Sequence, residues 1–315
     1  MTNNHLPKLI VILGPTASGK TKLAVELARV FNGEIVSADS RQVYKGMDIG
    51  TGKDLDEYDN VPYHLIDICE PTEQFSLAQY QKFAYQAIDD IIKRGKIPFL
   101  VGGTGLYLQA VIEGYDLSEI KPNEKLRKKL EKKSLEKLQH LIKKNKIELN
   151  KSDFNNKRRL IRILEKIECL KLLPARLVAK RAGRQGKTKN LKFTTKNLSK
   201  YNCLLLGLKF PNKELDERID KRLIDRIENQ GMIEEVKKLL TQGVTWQRLD
   251  DFGLEYRYIA KHLKGELTFE EMLKQLSIAS HQFAKRQMTW FKRDQRIKWL
   301  KNPRTANKLT YTFLR

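Results

Sequence analysis

The run LIVILGPTASGKT, from Leu9 to Thr21, restricts the possible folds more than any other stretch of the chain. Five apolar residues lead directly into a glycine-rich turn, and a segment with apolar residues at helical spacing follows it. The residues that share this helical face are Leu23, Ala24, Leu27, Ala28 and Phe31. A buried strand, a tight turn and an amphipathic helix in this order are typical of the first unit of a parallel α/β sheet.

The turn has the spacing of a P-loop, G-x-x-x-x-G-K-T. Its glycines let backbone N–H groups turn towards phosphate oxygens, and the start of the following helix adds a favourable dipole. In such loops the lysine, here Lys20, neutralises the outer phosphate, and the hydroxyl of Thr21 is the usual Mg²⁺ ligand. The pattern therefore predicts phosphate binding but not the acceptor. The predicted phosphate-binding residues are Gly14, Pro15, Thr16, Ala17, Ser18, Gly19, Lys20 and Thr21.

Strand and helix signals continue to alternate after this unit. Glu34–Asp39 and the run IPFLVGGTG are typical strands, and SLAQYQKFAYQAIDDIIKRG between them is typical of an amphipathic helix. Another strand signal, Cys203–Phe210, precedes long helical segments that reach about Asp294. We therefore predict an α/β fold with a P-loop NTPase-like parallel sheet and flanking helices.

The positive charge is concentrated in one part of the chain. The formal net charge is +23, and residues 116–200 hold 27 basic and 9 acidic residues, or +18. Helical patterns such as RRLIRILEKIECLKLL dominate this part. We predict a catalytic core from residues 1–115 and 201–315, interrupted by a mostly helical inserted domain over residues 116–200. A basic field of this size favours a polyanionic partner over a merely solvated surface.

Other features exclude several classes of protein. No run approaches the roughly 20 apolar residues that a membrane span requires. The three cysteines and five histidines are scattered, which argues against a disulfide framework and a zinc site. No exposed apolar stripe is evident either. We expect a cytoplasmic monomer that does not associate with membranes.

Two polar clusters follow predicted strands, at the edge where open α/β sheets bind ligands. The cluster DSRQVY begins with Asp39, and GGTGLY contains Thr104. A carboxylate at the position of Asp39 can be a magnesium partner, a general base or a helix cap. Further on, DERIDKR places Arg218 and Arg222 on one helical face, where each can contact a phosphate chain or form a surface ion pair. No obvious Walker B is present, which favours small P-loop transferases and kinases over motor ATPases.

Six motifs together resemble those of the tRNA dimethylallyltransferase family, in the same order and at similar spacings over nearly the whole chain. They are GPTASGKT, SADSRQVYKGMDIGTGK, HLIDICEP, FLVGGTGLYLQAVIEG, ERIDKR and AKRQMTWF. The resemblance implies that the P-loop holds the diphosphate of dimethylallyl diphosphate, with the cofactor Mg²⁺ near Thr21. It implies transfer of the prenyl group to N6 of adenosine 37, in tRNAs that read codons beginning with U, with diphosphate released.

The resemblance also assigns roles to residues. Asp39 matches the general base of the family, and Thr104 and Arg218 match residues that contact the diphosphate, so these three are the predicted catalytic residues. The insertion resembles a clamp on the tRNA anticodon stem-loop. The predicted tRNA-binding residues are Asp39, Ser40, Arg41, Gln42, Thr104, Arg158, Arg159, Leu160, Ile161 and Arg162. The sequence departs from the family pattern at Glu255, where members often have glycine, and it lacks the usual Thr-Gly pair after RRLIR.

Two other functions explain part of the pattern. A P-loop nucleotide or nucleic-acid kinase accounts for the loop and the basic insertion, but such a kinase is expected to carry an arginine-bearing lid instead of DSRQVYKGMDIGTGK. A non-catalytic RNA-binding module accounts for the basic insertion and leaves the P-loop, Asp39 and Thr104 without a role.

Overall fold

The computed structural model describes residues 6–115, 117, 123–145, 147, 149, 151–171, 199–300 and 303–315. The chain divides into two compact units: Met1–Tyr115 with Asn197–Arg315, and Asp116–Lys196. The sequence also predicts that Pro174 ends the RRLIR helix and that Ala182–Asn190 form a basic loop, and both lie outside the described residues. Within the described part, no helix combines the length and the hydrophobicity that crossing a bilayer requires.

The first unit is built on a parallel sheet, which confirms the predicted α/β fold. In the described residues the sheet has six strands in the order β3-β2-β4-β1-β5-β6. Its strands are β1 (Lys8–Leu13), β2 (Gly33–Ser37), β3 (Tyr63–His64), β4 (Ile97–Gly102), β5 (Asn202–Gly207) and β6 (Lys298–Trp299). The central strand β1 pairs with β4 on one side and β5 on the other, so it reads as an uninterrupted apolar run.

Helices connect the strands and cover both faces of the sheet. In the first unit they are α1 (Lys20–Val30), α2 (Leu77–Lys93), α3 (Gly105–Ile112), α8 (Asn212–Glu228), α9 (Met232–Thr241), α10 (Trp246–Phe252), α11 (Leu254–Leu263), α12 (Phe269–Phe291) and α13 (Pro303–Leu314), with a 3₁₀ turn over Leu55–Tyr58. In the second unit they are α4 (Glu124–Glu131), α5 (Leu135–Lys144), α6 (Lys151–Phe154) and α7 (Lys157–Lys171). Successive β1 side chains alternate between two cores: Leu9 and Val11 pack with α2 and α3, and Ile10 and Ile12 with α1.

The second unit is a small helical cluster with its own apolar core. Two of its helices, α4 and α5, follow each other closely, and Ser134 caps α5 by accepting a hydrogen bond from the Lys137 N–H at 3.4 Å. Leu160 and Ile161 lie in the core of this unit, 0% and 5% exposed. Both side chains pack inside the helical unit, and the predicted contact of these two residues with tRNA stays a prediction.

The three arginines of the RRLIR helix lie on its outer side. Arg158 and Arg159 are exposed and Arg162 is half-buried. Arg159 forms an ion pair with Asp153, and Arg162 lies 3.3 Å from the carboxylate of Glu165. Basic side chains therefore line the outside of α7, as binding to a polyanion requires.

A buried carboxylate on β2 supplies a test of the fold. Glu34 is 1% exposed and accepts hydrogen bonds from Arg94, from Lys96 at 2.8 Å and from His64 at 2.8 Å. Hydrogen bonding to Arg94, then Lys96 and His64, holds the pKa of Glu34 well below its ordinary value of 4.5. Its stabilisation is therefore complete above that ordinary value and is lost as the pH falls further.

We expect Glu34→Gln to lower the free energy of unfolding by about 2 kcal/mol at pH 7, since a buried acceptor loses its charge-assisted partners. The difference from the wild type should shrink as the pH approaches 3, because the unfolded wild-type chain then binds a proton at Glu34 that the folded protein, with its lowered pKa, does not bind. Urea unfolding at several pH values measures both effects. Glu26→Gln, on an exposed position of α1, is the control. An equal loss at pH 7 and pH 3 would contradict the ionic role.

Candidate active site

A cavity of about 710 Å³ opens at the carboxyl ends of β1, β2 and β4. Parallel strands all present these ends at one edge of the sheet, so the loops that follow them meet there. The cavity is lined by the P-loop from Thr16 to Thr21, by the segment from Asp39 to Gln42, by Thr104, and by side chains of α8, α11 and α12. The structure thus brings together the P-loop and the two predicted polar clusters.

The P-loop has the backbone of a phosphate cradle. Ala17 and Gly19 both have positive φ, 59° and 74°, which turns the chain sharply before α1 begins at Lys20. The Thr16 N–H donates to Oε1 of Gln287 at 2.9 Å, and Nε2 of Gln287 donates to the Gly103 carbonyl at 2.9 Å. One amide on α12 therefore ties the P-loop to the end of β4. Sequence reasoning missed Gln287, although it lies in the motif AKRQMTWF.

Lys20 faces the cavity from the start of α1. Its ammonium donates to the Pro15 carbonyl at 3.0 Å, and its remaining hydrogens can bind a ligand. Desolvation by burial, with Arg222 nearby, lowers the pKa of Lys20 to about 8, while Asp39 acts in the opposite direction. A lysine whose charged form is disfavoured in this way gains more stabilisation from an anionic ligand than an ordinary surface lysine does.

The structure distinguishes the two arginines of DERIDKR. Arg222 donates a hydrogen bond to the Thr16 hydroxyl of the P-loop. Burial, with Arg226 one turn further along α8, lowers the pKa of Arg222 to about 10, so the guanidinium remains charged at neutral pH. Arg218 lines the same cavity but is exposed, forming an ion pair with Glu214 at 2.9 Å and lying over the Phe210 ring at 4.3 Å. Arg222 is therefore the arginine in contact with the P-loop.

Asp39 and Thr104 lie on neighbouring turns. Asp39 accepts a hydrogen bond at Oδ1 from the Arg41 N–H at 2.8 Å, which is an Asx turn and not a helix cap. The Ser40 N–H donates to the Thr104 hydroxyl at 3.1 Å. These bonds fix both turns against each other, and both Asp39 and Thr104 line the cavity. The arrangement places a carboxylate opposite a cationic phosphate cradle.

Two other residues of the same segment already have partners. Gln42 accepts from the Ser37 hydroxyl at 2.9 Å and donates to the Gly52 carbonyl at 2.9 Å, so its amide holds the protein's own loops. Arg41 donates to the Asp251 carbonyl at 3.0 Å and lies over the Phe252 ring at 5.7 Å. Their predicted contact with tRNA stays a prediction.

Comparison with known proteins agrees with this geometry. A family model described as IPP transferase matches residues 42–294, and one described as isopentenyl transferase matches residues 7–59. The tRNA dimethylallyltransferase 1 of Geotalea daltonii is 46% identical over 297 residues, covering 93% of this chain and 90% of that protein.

The chain belongs to the IPP transferase family. The family resemblance read from the sequence is therefore confirmed. Solved structures agree: the tRNA isopentenylpyrophosphate transferase of Bacillus halodurans matches with a TM-score of 0.70 at 36% identity, covering 98% of this chain and 96% of that one. A eukaryotic dimethylallyltransferase, captured in crystallographic snapshots acting on tRNA, matches with a TM-score of 0.69 at 27% identity, covering 90% and 69%.

The IPP transferase cavity also contains an unsatisfied donor. The Ser18 hydroxyl is 3% exposed and has no hydrogen-bond partner among the described residues. A Cβ at Gly14 would approach it to 2.9 Å, so the loop keeps this space only with glycine there. A buried hydroxyl without a partner is costly, and a phosphate oxygen bound in the cradle would satisfy it.

Proposed function

We propose that this chain transfers the dimethylallyl group of dimethylallyl diphosphate to N6 of adenosine 37, in tRNAs that read codons beginning with U. The products are N6-(dimethylallyl)adenosine in the tRNA and diphosphate. The observation that carries this proposal is one cavity with a cationic P-loop and Arg222 on one side and Asp39 on the other. Membership of the IPP transferase family supports it.

The P-loop side suits the departure of diphosphate. Breaking the bond between C1 of the prenyl group and the diphosphate oxygen increases negative charge on the diphosphate. The P-loop, Lys20 and Arg222 line the cavity, and in this proposal the backbone N–H groups of the loop, the Lys20 ammonium and the Arg222 guanidinium stabilise the charge that develops. Donors fixed in advance need no reorganisation during the reaction, so they stabilise the transition state more than water does.

The Asp39 side suits acceptance of a proton. The adenine amine becomes acidic as its nitrogen forms the new bond to C1. A carboxylate within hydrogen-bond reach can then take the proton. Adenosine 37 must leave the stack of the anticodon loop to enter the cavity, which is less costly in a loop than in a duplex. Asp39 is the proposed general base.

Mg²⁺ is proposed as the cofactor. The Thr21 hydroxyl is half-buried at the start of α1 and faces the cavity, where a hard cation that prefers oxygen ligands would fit. No cluster of three or more acidic, histidine or cysteine ligands occurs in the described ranges. The substrate diphosphate would therefore provide most of the ligands beside Thr21. When bound, the ion neutralises charge on the diphosphate.

The proposed partner is the anticodon stem-loop of tRNA. The excess of +18 over residues 116–200 supplies the field for a polyanion. Exposed Arg158 and Arg159 and half-buried Arg162 on α7 are the proposed contacts to phosphates. The monomeric state and the cytoplasmic location stay predictions.

A double-label incubation separates this function from a P-loop kinase. The protein is incubated with unmodified tRNA, dimethylallyl diphosphate labelled in the prenyl group and ATP labelled at the γ-phosphate. We expect only the prenyl label in the RNA, and mass spectrometry of the nucleosides should locate it in the anticodon loop. Transfer of the phosphate label instead would establish the kinase. Binding of tRNA with neither label transferred would favour a non-catalytic RNA-binding protein.

We expect Thr104→Ala to slow prenyl transfer about tenfold, because the Ser40 N–H loses its acceptor and the diphosphate loses a hydroxyl contact. Steady-state rates with varied dimethylallyl diphosphate measure the loss. Thr104→Ser keeps the hydroxyl and is the matched control, with a rate close to that of the wild type. If the alanine variant is as fast as the serine variant, Thr104 has only a packing role.

A further inference from the structure

The segment from Asp48 to Asp54, here called the wall loop, forms part of the cavity without belonging to any helix or strand. Its residues Gly50, Thr51, Gly52 and Asp54 line the cavity. An irregular loop has no ladder of backbone hydrogen bonds to fix it, so its position depends on other contacts. These contacts come from two buried side chains, Glu235 and Lys53, and from the half-buried Gln42.

The first is Glu235, on α9. Its Oε2 accepts from the N–H groups of Asp48 and Ile49, both at 2.7 Å, and its Oε1 accepts from the Gly50 N–H at 3.1 Å. The Tyr256 hydroxyl donates to Oε1 at 2.8 Å. Glu235 is only 9% exposed, so these four donors replace water around the carboxylate. One side chain therefore fixes three successive peptide units.

The other two anchors act at the far end of the wall loop. Lys53 is 1% exposed and donates to the Tyr44 carbonyl at 2.8 Å, to Asp48 at 2.5 Å and to Asp67. The Gly52 carbonyl accepts from Gln42, as described above. In the motif GMDIGTGK, Gly50, Gly52 and Lys53 therefore all form hydrogen bonds within the protein, and these bonds hold the wall loop in place.

The wall loop contacts both halves of the site. Through Gly52 it holds Gln42, which follows directly after the Asx turn formed by Asp39 and Arg41. On the other side the carboxylate of Asp54 pairs with Arg226 at 3.1 Å, and Gly52 leaves no room for a Cβ beside this guanidinium. Arg226 is one helical turn from Arg222, which contacts the P-loop. A shift of the wall loop would move Asp39 relative to the phosphate cradle.

We propose that Glu235 is a positioning residue, which sets the place of Asp39 relative to the diphosphate by anchoring the wall loop. This inference rests on the proposed prenyl transfer. Glu235 touches no reacting atom and acts through the wall loop and Gln42. Its loss should therefore reduce kcat more than it changes KM for dimethylallyl diphosphate, because the cradle itself keeps its own contacts.

The test uses Glu235→Gln, which has the same shape but places an amide N–H₂ against at least one backbone N–H. We expect kcat to fall about tenfold, with KM for dimethylallyl diphosphate changed by less than about twofold. Hydrogen exchange of the peptide over residues 47–54 should become about tenfold faster while other peptides keep their rates. Glu234→Gln is the matched control, because Glu234 is the exposed neighbour whose side chain lies 3.6 Å from Lys237.

Faster exchange with an unchanged kcat would overturn the inference, since the anchoring would then have no bearing on the reaction. Unchanged exchange in a folded Glu235→Gln protein would overturn it as well. If that variant does not fold, Tyr256→Phe decides, because it removes one of the four donors and keeps the carboxylate. Wild-type kcat and exchange in that variant would also reject the proposal. A wild-type protein that transfers no prenyl group would instead reject the proposed function, and the exchange measurement would still test the anchoring.

Discussion

Replacing Asp39 by asparagine should slow prenyl transfer by about 10²–10⁴, the usual loss when a general base is removed. Asparagine keeps a carbonyl oxygen that can accept the Arg41 N–H, so the Asx turn of the wild type is retained. It cannot accept the proton that the adenine amine loses. Because the fold and the basic surfaces are unchanged, the affinity for tRNA should change by less than about twofold.

Single-turnover rates with saturating protein measure the chemical step of this variant, and filter binding measures tRNA affinity. Asp56→Asn is the control, since Asp56 is exposed. A rate within a few-fold of the wild type for Asp39→Asn would remove Asp39 from the role of base. A large loss of tRNA affinity with normal turnover would instead make Asp39 an RNA contact.

Replacing Lys20 by methionine should lower kcat/KM for dimethylallyl diphosphate by about 10²–10³, the range for removing one preorganised donor to a developing anion. Methionine keeps much of the length and apolar bulk of the side chain, so the start of α1 is preserved. Lys22→Met, at an exposed position of the same helix, is the control and should leave kcat/KM unchanged.

The wild type should show a pH dependence that Lys20→Met lacks. The pKa of Lys20 in the free protein is lowered to about 8, first by burial and then by Arg222, so its positive charge is lost as the pH rises through 8. We expect kcat/KM to fall above pH 8, whereas kcat at saturating substrate falls less because a bound diphosphate favours the protonated lysine. Profiles between pH 6.5 and 9.5 measure this. A wild-type kcat/KM that stays constant to pH 9.5 would contradict the assignment.

The parts of the site that the sequence predicted are those encoded locally. The P-loop needs its residues in one short run, and Asp39 and Thr104 directly follow strands that read as apolar runs. Parallel strands then bring these three parts to one edge without further information. Four of the six strands described and the site edge were therefore predictable from local patterns alone, whereas the two-residue strands β3 and β6 were not.

The parts that the sequence could not settle depend on tertiary packing. Arg218 and Arg222 share one helical face in the sequence pattern, and their positions along α8 decide between them, because Arg222 reaches the Thr16 hydroxyl whereas Arg218 pairs with Glu214. Lys53 is another example, since its residue type does not predict 1% exposure, and the fold of the loop is what brings its ammonium to the Tyr44 carbonyl and to the carboxylates of Asp48 and Asp67. Leu160 and Ile161 were predicted to contact tRNA as part of the RRLIR run, and that run alone did not show that their side chains pack in the core of the second unit.

The hydrogen bond between Thr16 and Gln287 bears on when, during synthesis, the phosphate-binding site is completed. These residues are 271 positions apart, so the P-loop leaves the ribosome long before Gln287 does. The strand next to β1, β5, is also delayed until residues 202–207 have been made. A nascent chain that ends before residue 287 therefore lacks the hydrogen bond that holds its P-loop, and we expect it to bind no prenyl diphosphate.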